Sequence, residues 1–162
     1  MSFESPTAHR RFRARLHALW LLAAALVLGA VGPPRALATE YIEGFDSTIR
    51  VQADGALFVT ETILVRAEGG AIKRGIYRDF PTRYRAWYGR AVAPFEVLSV
   101  RRGGAPEPWH TDQRSNGVRL YLGSANRMLA HGMHEYEIRY RTAWQLGYFA
   151  DHDELYWNVT GN

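Results

Sequence analysis

The sequence predicts an all-β domain built as an antiparallel β-sandwich. Aromatic residues make up 13% of the 162 residues, and aromatic side chains favour strands over helices. Short runs of alternating apolar and polar residues are separated by glycine, proline and asparagine turns, which is the pattern of sandwich domains. The length allows one domain of ordinary size. We therefore expect an immunoglobulin-like sandwich over residues 39–162.

Residues 1–38 have the three-part layout of a secretory signal peptide. An arginine-rich start precedes an apolar run at 18–31, and Ala36-Leu37-Ala38 supplies small residues for a protease. Cleavage is predicted between Ala38 and Thr39, with export to the periplasm or the outer face of the cytoplasmic membrane. An uncleaved anchor is the alternative, and the pair Arg10-Arg11 leaves twin-arginine export open.

Charge and cysteine content exclude several classes of function. The formal charge is +4, but five of the 20 basic residues and one of the 16 acidic residues precede residue 39. The remainder carries equal numbers of both signs, whereas a nucleic-acid-binding protein needs a broad basic surface. No cysteine is present, which excludes disulfides and thiolate metal sites.

Several strands are predicted along the exported part. Alternating runs at 41–52 and 57–66 flank Ala53-Asp54-Gly55, which is a strong hairpin signal. Further strands are expected at 95–100, at 118–122 after Asn116-Gly117, at 134–144 and from Leu155 onward. The run at 134–144 is the clearest, with one parity predicted to face the core: Tyr136, Ile138, Tyr140, Thr142 and Trp144.

Three segments fit no single period. Residues 73–82 mix cations, aromatic rings, glycine and proline, and the sequence predicts a shaped loop there. Residues 82–89 are interpreted as an extended excursion with room for one helical turn. Residues 124–130 are predicted to form a short helix or a wide turn.

Two motifs and the first hairpin resemble a known family. The motifs are Arg74-Gly75-Ile76-Tyr77-Arg78-Asp79-Phe80-Pro81 and Asp153-Glu154-Leu155-Tyr156-Trp157-Asn158, the latter followed by Gly161-Asn162. Together with Asp54-Gly55 they resemble the extracytoplasmic N-terminal domain of the bacterial family called domain of unknown function 2207. The resemblance implies a signal peptide, a β-rich domain and then membrane helices, without an established activity. It also implies a fragment whose sandwich is truncated at its C-terminal edge.

The segment at 73–90 contains the candidate ligand-binding residues. Six cations lie there with Asp79 as the single acid, and arginine forks beside aromatic faces suit an anionic group on a lipid, glycan or protein partner. The candidates are Arg74, Tyr77, Arg78, Asp79, Arg83 and Trp87. Alternatively, Arg74 and Arg78 pair with Asp79 and with the acidic run at 151–154 and hold the loop in place. We favour that structural role for Arg78 and the ligand role for Arg74.

Other candidate sites carry weaker patterns. Asp151, Asp153 and Glu154 could bind calcium through carboxylate oxygens or supply an acid and a base. His131 and His134 are spaced three apart, but no third zinc ligand is evident. No cofactor is predicted.

Three functions remain open from the sequence. The leading hypothesis is a non-enzymatic extracytoplasmic module that binds an envelope component, an anionic lipid or glycan, or a membrane protein partner. The alternatives are an enzyme that acts on envelope polymers through the carboxylates at 151–154, and a structural domain that packs on a missing membrane portion.

Overall fold

The computed structural model describes residues 39–86, 89–157 and 159. This part of the chain contains strands and no helix, and every strand pairing is antiparallel. The strands are β1 (Tyr41–Val51), β2 (Leu57–Ala67), β3 (Gly75–Pro81), β4 (Arg83–Ala86), β5 (Gly89–Val92), β6 (Phe95–Arg102), β7 (Ala105–Pro106), β8 (Trp109–Arg114), β9 (Gly117–Gly123), β10 (Gly132–Thr142), β11 (Leu146–Tyr148) and β12 (Asp153–Leu155). Among these residues no helix has the length and apolar character needed to span a bilayer.

Two sheets form the sandwich. The five-stranded sheet has the order β1-β2-β10-β6-β7, and the three-stranded sheet has the order β3-β9-β8. Two small hairpins, β4–β5 and β11–β12, complete the described part. The predicted all-β antiparallel sandwich is confirmed.

The core lies between the inner faces of the two sheets. Phe80 of the three-stranded sheet contacts Tyr140 and Phe95 of the five-stranded sheet, with ring centroids 4.8 and 4.5 Å apart. Because successive side chains of a strand point to opposite faces, every second side chain points into this interior. The buried cluster consists of Leu57, Val59, Ile63, Val65, Phe80, Val100, Leu120, Leu122, Tyr136, Ile138 and Tyr140.

The first hairpin and the strand at 134–144 are confirmed, with one exception. β1 pairs with β2 around a turn in which Gly55 has φ +78°. In β10 the predicted inward side chains are buried, but the strand ends at Thr142, whose hydroxyl donates to the Pro94 carbonyl over 2.8 Å. The inward placement of Trp144 is wrong, because its backbone turns to φ +65° and its side chain is 69% exposed.

The prediction of a loop over 73–82 is wrong, because most of it is β3. The strand does alternate, with Ile76 and Phe80 on the inner face and a cation, Arg78, between them. Because Arg78 is charged, the sequence does not show a regular alternation of apolar and polar residues in this strand. Gly75 pairs with Gly123 of β9, and a Cβ on Gly75 would lie 1.8 Å from the Leu122 carbonyl oxygen. Glycine is therefore required where the two strands approach.

The remaining irregular segments also resolve into turns and strands. Residues 83–86 and 89–92 pair as the hairpin β4–β5, so the extended excursion is confirmed without a helical turn in its described residues. Residues 124–130 form a turn, and the Leu129 amide donates to the Lys73 carbonyl over 2.8 Å. β8 was not predicted, because all six of its side chains are exposed and it shows no apolar alternation. The proposed signal peptide lies outside the described residues.

Candidate functional site

A buried ion pair joins the two sheets. Glu61 of β2 is fully buried, and Arg78 of β3 donates to it from Nε over 2.9 Å and from Nη2 over 3.2 Å. The Tyr140 hydroxyl donates to the same carboxylate over 2.8 Å. Burial, followed by the nearby Glu61 charge, raises the pKa of Tyr140 above its usual range. The carboxylate therefore has three donors, as a buried charge requires.

Arg78 has further contacts that fix its position. Its guanidinium donates to the Val159 carbonyl over 2.7 Å and lies 5.4 Å from the Phe45 ring centroid and 5.2 Å from that of Phe80. Only 11% of its side chain is exposed. Arg78 consequently links β2, β3 and the C-terminal segment through a single side chain.

A cleft of about 330 Å³ borders this pair. Aromatic rings supply six of its fourteen lining residues, and its volume falls in the range of small-molecule sites. The lining residues are Arg78, Asp79, Phe80, Pro81, Thr82, Arg83, Tyr84, Phe95, Asn116, Tyr140, Thr142, Gln145, Tyr156 and Trp157. The cleft thus combines flat apolar surfaces with hydroxyl, amide and guanidinium groups.

Two donors of the cleft differ in their accessibility and in their partners. The buried indole N–H of Trp157 has no hydrogen-bond acceptor among the described residues. Arg83 is exposed and donates to the carbonyls of Arg114 over 2.7 Å and Ser115 over 3.3 Å, but no described carboxylate forms a salt bridge with it. The indole nitrogen has almost no accessible surface, so a molecule in the cleft cannot reach it. Arg83 is accessible, and a bound molecule could bring a negative charge to it.

Asp79 borders the cleft, but its carboxylate is paired on the outer face of the three-stranded sheet. Arg119 of β9 donates to both of its oxygens, over 2.6 and 2.7 Å. This interaction holds the pKa of Asp79 below its usual value. Arg119 also lies 3.9 Å from the ring centroid of Tyr77 on the outer face of the three-stranded sheet. Asp79 is therefore an ionised, bidentate partner and not a free base.

The structure brings together only part of the predicted site. Arg78, Asp79 and Arg83 line the cleft, whereas Tyr77 lies on the outer face. Arg74 precedes β3 and is exposed, with no side-chain hydrogen bond or salt bridge in the described part of the chain. Trp87 lies outside the described residues. The expected partners also differ, since the carboxylate bound by Arg78 is Glu61 and not Asp79 or the run at 151–154.

The weaker candidates lie away from the cleft. Asp151, Asp153 and Glu154 are exposed on the β11–β12 hairpin, and Asp151 Oδ1 is 2.8 Å from His152 Nδ1. His134 Nε2 is 2.8 Å from the Ala130 carbonyl oxygen. Within the described residues, no group of three or more histidine or acidic side chains is arranged to hold a metal ion.

Sequence reasoning missed most of the cleft. Glu61 occupies an inward position between Val59 and Ile63. An acid at an inward position of a strand indicates a buried cationic partner, and this was the sequence feature that could have revealed the pair with Arg78. Tyr156 and Trp157 belonged to a recognised motif but were not assigned to a site. The contributions of Tyr84, Asn116 and Gln145 depend on tertiary contacts that carry no local pattern.

Comparisons with known proteins identify a matching family and a relative. Residues 41–162 match the family described as predicted membrane protein (DUF2207) N-terminal domain. The chain is 36% identical over 124 residues to the uncharacterized protein YciQ of Escherichia coli (strain K12), an alignment that covers 76% of this chain and 20% of YciQ. The chain thus spans about a fifth of the length of that relative.

Among solved structures the similarity is distant. Native leukotriene A4 hydrolase from Saccharomyces cerevisiae matches with 16% identity and a TM-score of 0.46, over 72% of this chain and 18% of the hydrolase. The yeast hydrolase in complex with bestatin gives 15% identity and the same TM-score. Similarity at this level carries no information on activity. The family match and the relative show that the chain belongs to the DUF2207 predicted membrane protein family, as its N-terminal domain.

Proposed function

We propose that the domain is a non-enzymatic, extracytoplasmic binding module of a membrane protein. Its ligand is a sugar-containing anionic component of the cell envelope, which binds in the aromatic cleft. The observation that carries the proposal is the combination of aromatic rings in the cleft with the Arg83 guanidinium, which forms no salt bridge with a described carboxylate.

The wall chemistry suits a sugar. A pyranose ring has an apolar face of C–H groups that packs on an aromatic ring, and hydroxyls at its edge that need directional partners. Tyr156, 80% exposed, and Tyr84, 40% exposed, offer the rings. Asn116 and Gln145 offer amides that both donate and accept. A purely apolar ligand would offer these amides no hydrogen-bond partner.

The charge of the cleft suits an acid. Arg78 and Asp79 are neutralised by Glu61 and Arg119, so Arg83 determines the net charge of the lining. A guanidinium that lacks a carboxylate favours carboxylate or phosphate oxygens. We favour binding over hydrolysis, because the carboxylate of Asp79, the acidic residue of the lining, accepts from Arg119 on the outer face of the sheet.

Titration calorimetry on the purified chain tests this function. Neutral monosaccharides, uronic acids and sugar phosphates serve as probes. We expect an acidic sugar to bind, and Tyr156→Ala to weaken that binding by about 10-fold, equivalent to about 1.4 kcal/mol. Because Tyr156 is exposed, the substitution leaves the fold intact.

Tyr148→Ala is the matched control. Tyr148 is 68% exposed on the neighbouring β11 and does not line the cleft, so its loss should leave affinity unchanged. Equal losses from both tyrosines, or a parent chain that binds no acidic sugar at low salt, would contradict the proposal.

A further inference from the structure

The β4–β5 hairpin presents three arginines on one face. Arg83 and Arg85 are two residues apart on β4 and therefore point to the same side. Arg90 of β5 is the direct cross-strand partner of Arg85. Directly opposite residues of an antiparallel pair have Cβ atoms roughly 4.5–5.5 Å apart. Three guanidinium groups thus extend from one small surface.

This arrangement is unfavourable for the isolated hairpin. Like charges directly opposite each other destabilise a strand pair. Elsewhere in the described strands, directly paired charged residues have opposite signs, as in Asp79 with Arg119, Glu137 with Arg101 and Arg141 with Glu96. Among those strands Arg85 with Arg90 is the like-charged exception.

No acid compensates this face within the described part of the chain. Arg85 and Arg90 are both exposed and form no salt bridge there, and Arg83 is bound only by carbonyl and amide oxygens. A charged pair that lowers the stability of the free hairpin, and that no carboxylate offsets, is the arrangement expected of a site whose ligand brings the charge.

The three arginines border a pocket of about 420 Å³. Tyr84, Ser115 and Asn116 also line it, and they add hydroxyl and amide groups suited to oxyanion oxygens. Arg83, Tyr84 and Asn116 line the aromatic cleft as well. The pocket and the cleft are therefore adjacent and share one edge.

We infer that the hairpin pocket binds a phosphate group, and that this phosphate belongs to the ligand whose sugar lies in the cleft. The inference rests on the proposed function and specifies its ligand as a sugar phosphate or phosphodiester. Phosphate presents several oxygens and up to two negative charges, and arginine forks match it in bidentate fashion. One carboxylate could engage only one fork and would leave the other cations without a partner.

Titration of the full-length chain with inorganic phosphate, a hexose 1-phosphate and the matching neutral hexose tests the inference. The double substitution Arg85→Ala with Arg90→Ala should weaken binding of both phosphates by at least about 10-fold. It should leave the Tyr156-dependent contribution of the sugar unchanged. Parent affinity for phosphate should fall as salt rises, because exposed charges are screened within about 8 Å at physiological ionic strength.

The matched control replaces Arg101 and Arg139 with alanine. Both are exposed cations of the five-stranded sheet, away from the hairpin, so they remove the same charge without touching the pocket. Unchanged phosphate affinity in this control, with loss in the hairpin variant, supports a local site. Equal losses in the two variants would reduce the effect to overall charge and overturn the inference.

Vesicles separate the two sources of phosphate. Sedimentation with phosphatidylglycerol vesicles, in competition with hexose 1-phosphate, shows whether lipid headgroups occupy the same arginines. Competition in the parent that disappears in the hairpin variant supports a shared phosphate site. Vesicle binding that needs Arg85 and Arg90 but is insensitive to hexose 1-phosphate would replace the inference with a membrane-surface role.

The two proposals can fail separately. Loss of phosphate binding in the hairpin variant, with no sugar contribution in any experiment, would retain the phosphate pocket and remove the sugar cleft. Sugar binding that depends on Tyr156 but ignores Arg85 and Arg90 would retain the cleft and overturn the phosphate pocket.

Discussion

Arg78 and the arginines of the β4–β5 hairpin come from the same short basic segment but have opposite environments. Arg78 is 11% exposed and gives its fork to the buried Glu61. Arg85 and Arg90 are exposed and face each other across two strands without a described carboxylate. Arginines from one basic segment can therefore have two different roles, depending on their environment in the fold. An inward position with a matching inward acid makes a cation structural, and an outward position leaves it available to a ligand.

The largest expected effect is the loss of Arg78. Arg78→Ala leaves Glu61 buried with a single neutral donor, Tyr140, and removing one partner of a buried pair costs about 3–5 kcal/mol. Urea denaturation measures this loss. Arg85→Ala, the matched substitution in the hairpin, should change stability by no more than about 0.5 kcal/mol.

A double change sharpens the same contrast. Replacing Glu61 and Arg78 together with leucine removes both charges and should cost less than either single truncation. Comparable losses from Arg78→Ala and Arg85→Ala would mean that burial does not separate the two classes of arginine.

An intermediate case is Glu40, a partly exposed charge with a structural role. Its carboxylate accepts from the amides of Glu68, Gly70, Ala71 and Ile72, and these bonds lower its pKa to about 2 from 4.5. Glu40→Gln should therefore lower the melting temperature at neutral pH, as calorimetry would show.

The pH dependence of Glu40 has a defined sign. A carboxylate with a depressed pKa in the folded state stabilises the fold above its unfolded value of 4.5. That contribution disappears as the pH falls from 4.5 towards 2, so the parent and the Glu40→Gln variant should converge in this window. A constant difference across the window would show that the amides do not select the ionised form.

The smallest effect is expected at the hairpin tip. Arg90→Glu replaces the like-charged pair with an opposite pair and should stabilise the chain by about 0.2–1 kcal/mol, in line with cross-strand pair energies. Denaturation midpoints measured at low and high salt check this. A loss of stability would indicate that Arg85 and Arg90 already have compensating partners, which would weaken the contrast with Arg78.

The strands with apolar alternation could be predicted from the sequence because one face of each is buried. For Tyr136, Ile138 and Tyr140, the alternating position along the strand was enough to predict that the side chain faces the core. β3 could not be predicted, because its alternation includes an inward cation whose partner, Glu61, is 17 residues away in the chain. β8 could not be predicted either, because neither of its faces is buried.

The site could be predicted only where its charged residues lie close together in the sequence. Arg78, Asp79 and Arg83 were identified because they are close in sequence, but their roles depend on distant partners such as Arg119. The aromatic walls come from β3, β4, β6, β10 and the C-terminal segment. The topology of the sheets brings these elements together, and the periodicity of a single sequence does not predict that topology.

The contacts of Glu40 would affect the predicted cleavage after Ala38. Glu40 is two residues from the predicted cleavage point after Ala38, and its side chain is bound to the segment between β2 and β3. A processing protease needs an extended, accessible stretch on both sides of the scissile bond. If the predicted cleavage takes place, it must therefore precede formation of these four bonds, or wait for them to open. A chain that folds before processing would then be cut slowly.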